Sequence, residues 1–273
     1  MIPVLLFAGC AGYGPPHANE KILRNVLFAS PRGHALHMDL YVPKTVSPAP
    51  VVIWIFGGSW KFGSKGYHVN VRDLSRYGIA VAAIQYRLSA TAPYPAQLED
   101  CQAALRWLRT HGRSVGIDPR RIGVSGESAG GHLAALLGTI EKTPRIRAVC
   151  SLYAPTDLVS LGRQYADPER PSDIERLLGG PIEKKLKLAA LASPVSHAGP
   201  SAPPFLLIHG EQDRLVPLEQ SLELQSRLLR SGIKARLIVV PGKKHWFLLD
   251  ERQLADVACF FEEQFALPLP AKR

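Results

Sequence analysis

One stretch limits what this chain can fold into more than any other: RRIGVSGESAGGHLAALL, residues 120 to 137. An apolar segment, Ile122 to Val124, runs through GESAG directly into a helical pattern, so Ser128 falls where a strand turns sharply into a helix. Such a turn leaves no room for side chains two residues to either side, and Gly126 and Gly130 occupy those places. Ser128 is then presented to solvent over a helix N-terminus, where unpaired backbone N–H groups favour developing negative charge.

A strand delivered in this way needs neighbours, and the chain supplies them. Residues 25 to 42 read as two strands, NVLFA and ALHMDLYVP, turned at SPRGH into a hairpin at one sheet edge. PVVIWIF (50 to 56) is an unbroken apolar run, as expected of a strand covered on both faces, and IAVAAIQYR follows a short helix near 68 to 77. In PAQLEDCQAALRWLRTHG, Pro95 suits a first helical turn and Leu98, Cys101, Leu105 and Leu108 share one face. IRAVCSLYAP, FLLIHG and ARLIVVPG read as further strands and ERQLADVACFFEEQF as a final helix. PLEQSLELQSRLLRSG reads as a helix opened by Pro217 and closed at Gly232, with Leu218, Leu222 and Leu229 inward. The alternation predicts an α/β fold with a mostly parallel central sheet flanked by helices.

The rhythm breaks over residues 156 to 203, where two short helical patches, ERLLGG and EKKLKLAALA, stand among many Pro, Ser and Gly residues. Long connections inside a domain are usually functional, so this one reads as a small lid or specificity insertion, with a plain surface excursion as the alternative. No linker or internal repeat divides the rest, and residues 21 to 273 read as one domain. The net charge of +10 comes from scattered Lys and Arg. It describes a solvated surface, or a basic face that draws acidic substrates, and no nucleic-acid-binding motif accompanies it.

Cys101, Cys150 and Cys259 lie in apolar surroundings and read as small core residues, and the cysteine spacing is of neither the metal nor the redox kind. Neither metal nor cofactor is therefore expected. Cys10 differs, because IPVLLFAGC resembles the lipobox of bacterial lipoprotein signal peptides and AGYGPPHANE resembles a tether. Residues 1 to 20 are thus open to two readings: a signal remnant of an exported protein anchored by lipid through Cys10, or an apolar N-terminal strand of a cytoplasmic one. No later segment reaches the roughly 18 apolar residues of a membrane span.

A serine hydroxyl attacks an acyl carbon at neutral pH only when a base takes its proton and a carboxylate orients that base. Asp213 follows the strand FLLIHG in the turn GEQDRLVP, and His245 follows ARLIVVPG in GKKHWF. Both stand at the carboxyl ends of expected parallel strands, where open α/β sheets place their ligands. The competing residues fit less well. His132 lies one helical turn after Ser128, on the helix axis; His209 ends a buried strand; His197 has no strand end to fix it. Glu211 is early in its turn and Asp250 comes after the base. The oxyanion would be met by the amide of Ala129 and by the Gly-rich turn FGGSW, 56 to 60.

On these residues the chain resembles the serine esterases of the α/β-hydrolase fold, in the bacterial carboxylesterase and feruloyl-esterase-like group related to hormone-sensitive lipase. The resemblance runs through FGGSWKFGSK, IAVAAIQYRLS, YPAQLEDCQAALRWLR, GIDPRRIGVSGESAGGHLAALL, YAPTDL, IHGEQDRLVP and VPGKKHWF. It implies Ser128, Asp213 and His245 as nucleophile, acid and base, in the order such enzymes have them. It also implies a small-molecule ester as substrate, with a small acyl or aryl group and acetylated or feruloylated saccharides included. Relatives carry HGGGW at the oxyanion turn, whose second and third glycines fall on Gly58 and Ser59; Phe56 replaces the histidine and Ser59 a glycine. Trp60, Tyr165, Trp246 and Phe247 are candidates for the substrate pocket, with core packing as the alternative for each. An amidase, arylformamidase or peptidase of the same fold keeps the same residues, and a binding protein with an impaired site is a third reading. Oligomeric state is not legible in the sequence.

Overall fold

The computed structural model describes residues 20–44, 48–66, 69–141 and 146–266. Cys10 and the lipobox-like start lie outside the described residues. Those residues include an eight-stranded sheet built from β1 (Glu20–Ala29), β2 (Leu36–Pro43), β3 (Ala49–Ile55), β4 (Ala80–Ile84), β5 (Ile117–Glu127), β6 (Val149–Leu152), β7 (Phe205–Gly210) and β8 (Ala235–Val240). The strand order is β1-β2-β4-β3-β5-β6-β7-β8. β1 and β2 form the expected antiparallel edge hairpin, β2 is antiparallel to β4, and every pairing from β4 through β8 is parallel. This is the α/β-hydrolase sheet.

All seven residues of β3 are buried, because helices cover both faces. Val51, Ile53 and Ile55 face the side packed by α1 (Ala96–His111) and α2 (Ala129–Ile140), with Leu98, Leu105, Leu133 and Leu137. Val52 and Trp54 face the side packed by α8 (Glu251–Ala266), with Val257 and Phe261. Each such side chain contributes about 1.5–3 kcal/mol when fully buried. The parallel strands end together: Ile55 pairs with Gly126, Glu127 with Leu152, Leu152 with Ile208, and Gly210 with Val240. The loops that follow them therefore meet at one edge of the sheet.

Three expectations need correction. The helix after β7, α7 (Glu219–Arg230), buries Leu224 and Leu228 and exposes Leu222 and Leu229. Gln220 and Ser221 turn inward instead because both have partners there: Gln220 Oε1 accepts from the amides of Thr156 and Asp157, and Ser221 pairs with His209. Polar satisfaction, rather than the leucine count, sets the buried face. Second, Pro95 flanks α1 instead of opening its first turn. Third, Cys101 and Cys150 are buried and free, whereas Cys259 is only half-buried on α8. The segment between β6 and β7 holds four short helices, α3 (Leu158–Gln164), α4 (Asp173–Leu178), α5 (Leu186–Leu191) and α6 (Pro194–His197). Two of these were not apparent in the sequence. No helix among the described residues is long and apolar enough to cross a membrane.

Candidate active site

Ser128 sits between β5 and α2 with φ 50° and ψ −120°, a conformation that serine adopts only under constraint. Its amide donates to the Leu152 carbonyl at 2.9 Å, and its own carbonyl accepts from the amide of His132 at 2.9 Å. The flanking glycines make this possible. A Cβ on Gly130 would run into the carbonyl oxygens of Ile55 and Phe56, and one on Gly126 into that of Gly130. Gly130→Ala is therefore expected to cost about 3 kcal/mol or more. In a thermal melt this should lower the midpoint by about 6–12 °C.

His245 Nε2 lies 2.9 Å from Ser128 Oγ, and His245 Nδ1 lies 2.7 Å from Asp213 Oδ2. The loops after β5, β7 and β8 thus bring together three residues far apart in the sequence. An ionised Asp213 only accepts, so His245 carries its proton on Nδ1 and turns the Nε2 lone pair toward the serine hydroxyl. Asp213 Oδ1 accepts from the amides of Leu215 and Val216 at 2.9 Å, and His209 Nε2 stands 3.3 Å from Oδ2. Burial pushes this carboxyl up, but the hydrogen bonds from His209, His245 and Val216 outweigh it and hold Asp213 well below the usual carboxylate range. Behind His245, the Tyr153 ring packs at 5.1 Å, and its hydroxyl donates to Glu127 Oε2 at 2.7 Å. The alternative acids point elsewhere: Glu211 accepts from the Gly242 amide and Asp250 from the Gln253 amide.

Phe56 to Trp60 forms the turn after β3. Phe56 stacks on Tyr86 with centroids 4.3 Å apart, and the Tyr86 hydroxyl donates to the Phe56 carbonyl at 3.1 Å. Gly58, Ser59 and Trp60 have φ of 106°, 52° and 58°. Ser59 therefore occupies the left-handed region that a glycine would enter freely, at a cost of about 1–2 kcal/mol. Gly57 brings the turn against the nucleophile, since a Cβ there would lie 3.3 Å from Ser128 Cβ. Among the described residues, the amides of Gly58, Ser59 and Ala129 take no acceptor from the chain. They can donate to an incoming oxygen.

His132 is fully buried; its Nδ1 accepts from the Trp60 indole N–H at 3.1 Å, and its Nε2 faces the Ala192 carbonyl at 2.7 Å. Burial pushes its pKa down to about 4, against the opposing pull of that carbonyl. An unfolded histidine titrates near 6.5, so between about pH 6.5 and 4 the unfolded chain binds a proton that the folded chain refuses. Stability should fall as pH drops through that window, by about 3 kcal/mol in total from this group, and stop falling on its account below it. Urea melts at pH 7, 5 and 4 check this, because His132→Leu should lose that part of the slope.

Above Ser128 lies a cleft of ≈ 430 Å³. Of the expected pocket residues, Trp60 and Tyr165 line it, together with Ser59, Ser128 and Ala129. Trp246 and Phe247 do not: Trp246 is half-exposed with its ring 6.4 Å from Phe62, and Phe247 packs on Tyr153. Lys61, Pro155, Leu215 and Val216 add to its walls, and the rest come from the 156–203 segment. Leu161 and Ile174 give an apolar lining, while Asp167, Arg170, Asp173 and Arg176 give a charged rim. Lys61 Nζ reaches Asp173 Oδ1 at 2.7 Å across the mouth, and Tyr165 donates to the Arg214 carbonyl at 3.0 Å. The break in strand–helix rhythm marked this segment without naming those side chains. Among the described residues, no group of three or more His, Cys, Asp or Glu is placed to hold a metal ion.

The BD-FAE family profile matches residues 38–228. The chain is 32% identical over 244 residues to Esterase LipC of Mycobacterium tuberculosis, an alignment covering 83% of this chain and 60% of that protein. It spans, then, only about 60% of the length of that curated relative. Among solved structures, a truncated form of a carbohydrate esterase from gut microbiota aligns with a TM-score of 0.80 at 27% identity, covering 94% of this chain and 100% of the other. A bifunctional GH43-CE of Bacteroides eggerthii aligns with a TM-score of 0.81 at 29% identity, covering 89% and 38%.

Proposed function

From the premise that the chain belongs to the BD-FAE family, we propose that it is a serine-dependent carboxylic ester hydrolase. The observation that carries this is the hydrogen-bonded line from Ser128 Oγ through His245 to Asp213, at 2.9 and 2.7 Å. As Ser128 Oγ attacks the ester carbon, its proton passes to His245 Nε2, and Asp213 stabilises the imidazolium. The carbonyl oxygen becomes an oxyanion within reach of the amides of Ala129, Gly58 and Ser59. Collapse of the tetrahedral intermediate breaks the C–O bond, and the alcohol leaves with the proton from His245. Water, deprotonated by the same imidazole, then frees the acid from the acyl-serine.

The cleft supports a substrate class as well. A volume of ≈ 430 Å³ with an apolar wall suits a small acyl or aryl group, and the charged rim of the 156–203 segment, read as a lid, suits a polar alcohol such as a saccharide. The neighbours titled carbohydrate esterase and GH43-CE support the same class. Cleavage rates for p-nitrophenyl acetate, butyrate, octanoate and decanoate, with acetylated xylan and an aryl amide alongside, test this. The two short esters are expected to exceed decanoate in kcat/KM by about tenfold or more, since each methylene without a place costs binding. Faster amide than ester cleavage would move the chain to the amidase reading.

A further inference from the structure

We infer that His132 is the positioning residue of the oxyanion turn, a role that rests on the ester-hydrolase reading above and adds to it. The turn needs a brace. Gly58, Ser59 and Trp60 have positive φ in succession, and two of the three carry side chains. Backbone held in such a conformation persists only where its surroundings fix it. Phe56, at the start of the turn, has no polar side-chain atom to offer. At the upstream end the Tyr86 hydroxyl holds the Phe56 carbonyl. At the downstream end Trp60 is held twice: its carbonyl accepts from the Ser89 amide at 2.8 Å, and its buried indole donates to His132 Nδ1.

The direction of that second bond is determined. Ala192 presents a carbonyl oxygen to His132 Nε2, and a carbonyl only accepts, so Nε2 carries the proton and Nδ1 is left as the acceptor for the indole N–H. His132 also stands on α2, one turn after Ser128 and three residues after Ala129. One oxyanion donor, the Ala129 amide, belongs to the helix that carries His132; the others, at Gly58 and Ser59, belong to the turn that His132 grips through Trp60. The bond from Trp60 to His132 therefore sets the spacing between the two halves of the oxyanion site. Through Ala192 it ties that spacing to the 156–203 segment as well.

A misplaced oxyanion donor weakens the transition state and leaves the ground state almost untouched. His132→Leu and Trp60→Phe are each expected to lower kcat by about 10- to 100-fold with KM within about threefold. Their double variant should be no worse than the poorer single one, because both remove the same bond. His132→Asn, whose amide oxygen can still accept from the indole, should recover part of the loss. Wild-type kcat in folded Trp60→Phe, or losses that multiply in the double variant, overturns the inference. A readout that needs no turnover separates it from its premise: hydrogen exchange of the Trp60 indole N–H, observed by NMR. Exchange should accelerate in His132→Leu, and unchanged protection overturns the positioning role even if the wild type cleaves esters. A wild type that cleaves no ester overturns the hydrolase reading and leaves the exchange result to decide the brace. Should His132→Leu not fold, Trp60→Phe with its milder change carries the kinetic measurement, and His132→Met, which keeps the indole and offers it no comparable acceptor, carries the exchange measurement.

Discussion

Ser128→Ala is expected to lower ester turnover by about 10⁴- to 10⁶-fold. The hydroxyl is the only group of the side chain that the proposed chemistry uses, and alanine keeps the Cβ. The φ of 50° at position 128 is as accessible to alanine as to serine, so the elbow gains no new strain. The lost contact is the bond to His245 Nε2 at 2.9 Å, at the edge of a cleft that water enters, so no buried donor or acceptor is stranded. The thermal midpoint should therefore move by no more than a few degrees, while initial rates with p-nitrophenyl acetate collapse. The amides of Ala129, Gly58 and Ser59 remain, so a residual rate above that of buffer is expected. Turnover by the variant within tenfold of wild type, in a folded preparation free of wild-type enzyme, would sink the serine mechanism. A Ser128 that a fluorophosphonate fails to label in the wild type would count against it equally.

The sheet was legible because burial on both faces leaves an unbroken apolar run: PVVIWIF and FLLIHG announce β3 and β7 with little ambiguity. The elbow was legible because its glycines are demanded by backbone atoms, the carbonyls of Ile55 and Gly130, and not by adjustable side chains. Ser128, Asp213 and His245 could be singled out because each lies within a few residues after the end of a parallel strand, and strand ends converge on one sheet edge whatever the details of packing. What stayed hidden depends on contacts between distant segments. The Trp60 to His132 bond spans 72 positions, and nothing local to either residue signals it. The inward face of α7 was misread because Gln220 and Ser221 find partners on other elements, which hydrophobic periodicity does not weigh. The helices of the 156–203 segment run four to seven residues, too short to establish a period. Trp246 and Phe247 directly follow His245 in sequence, but the chain turns at Trp246, with φ 47°, and Phe247 faces Tyr153 instead of the cleft.

Asp213→Asn should lower kcat/KM by about 10⁴-fold, and the hydrogen bonds around Asp213 say why an isosteric change is so damaging. Both the Leu215 and Val216 amides donate to Oδ1 at 2.9 Å, so the carboxamide oxygen must take that place and the NH₂ must take the place of Oδ2. There it faces His245 Nδ1, 2.7 Å away, and can only donate to it. The imidazole is then fixed with its proton on Nε2, pointing at Ser128 Oγ, and has no lone pair left to accept the serine proton. The same NH₂ meets His209 Nε2, which carries a proton because the Val216 carbonyl lies 2.8 Å from it. Two donors are thereby set against each other in a buried site, and some loss of stability is expected as well. Asp213→Ala imposes no tautomer on His245, so the isosteric asparagine is expected to be no more active than the alanine variant, despite its closer fit. Steady-state rates for the two variants against wild type, with thermal melts on the same samples, decide it. An asparagine variant that keeps more than about a tenth of wild-type kcat/KM would mean that Asp213 does not set the proton on His245.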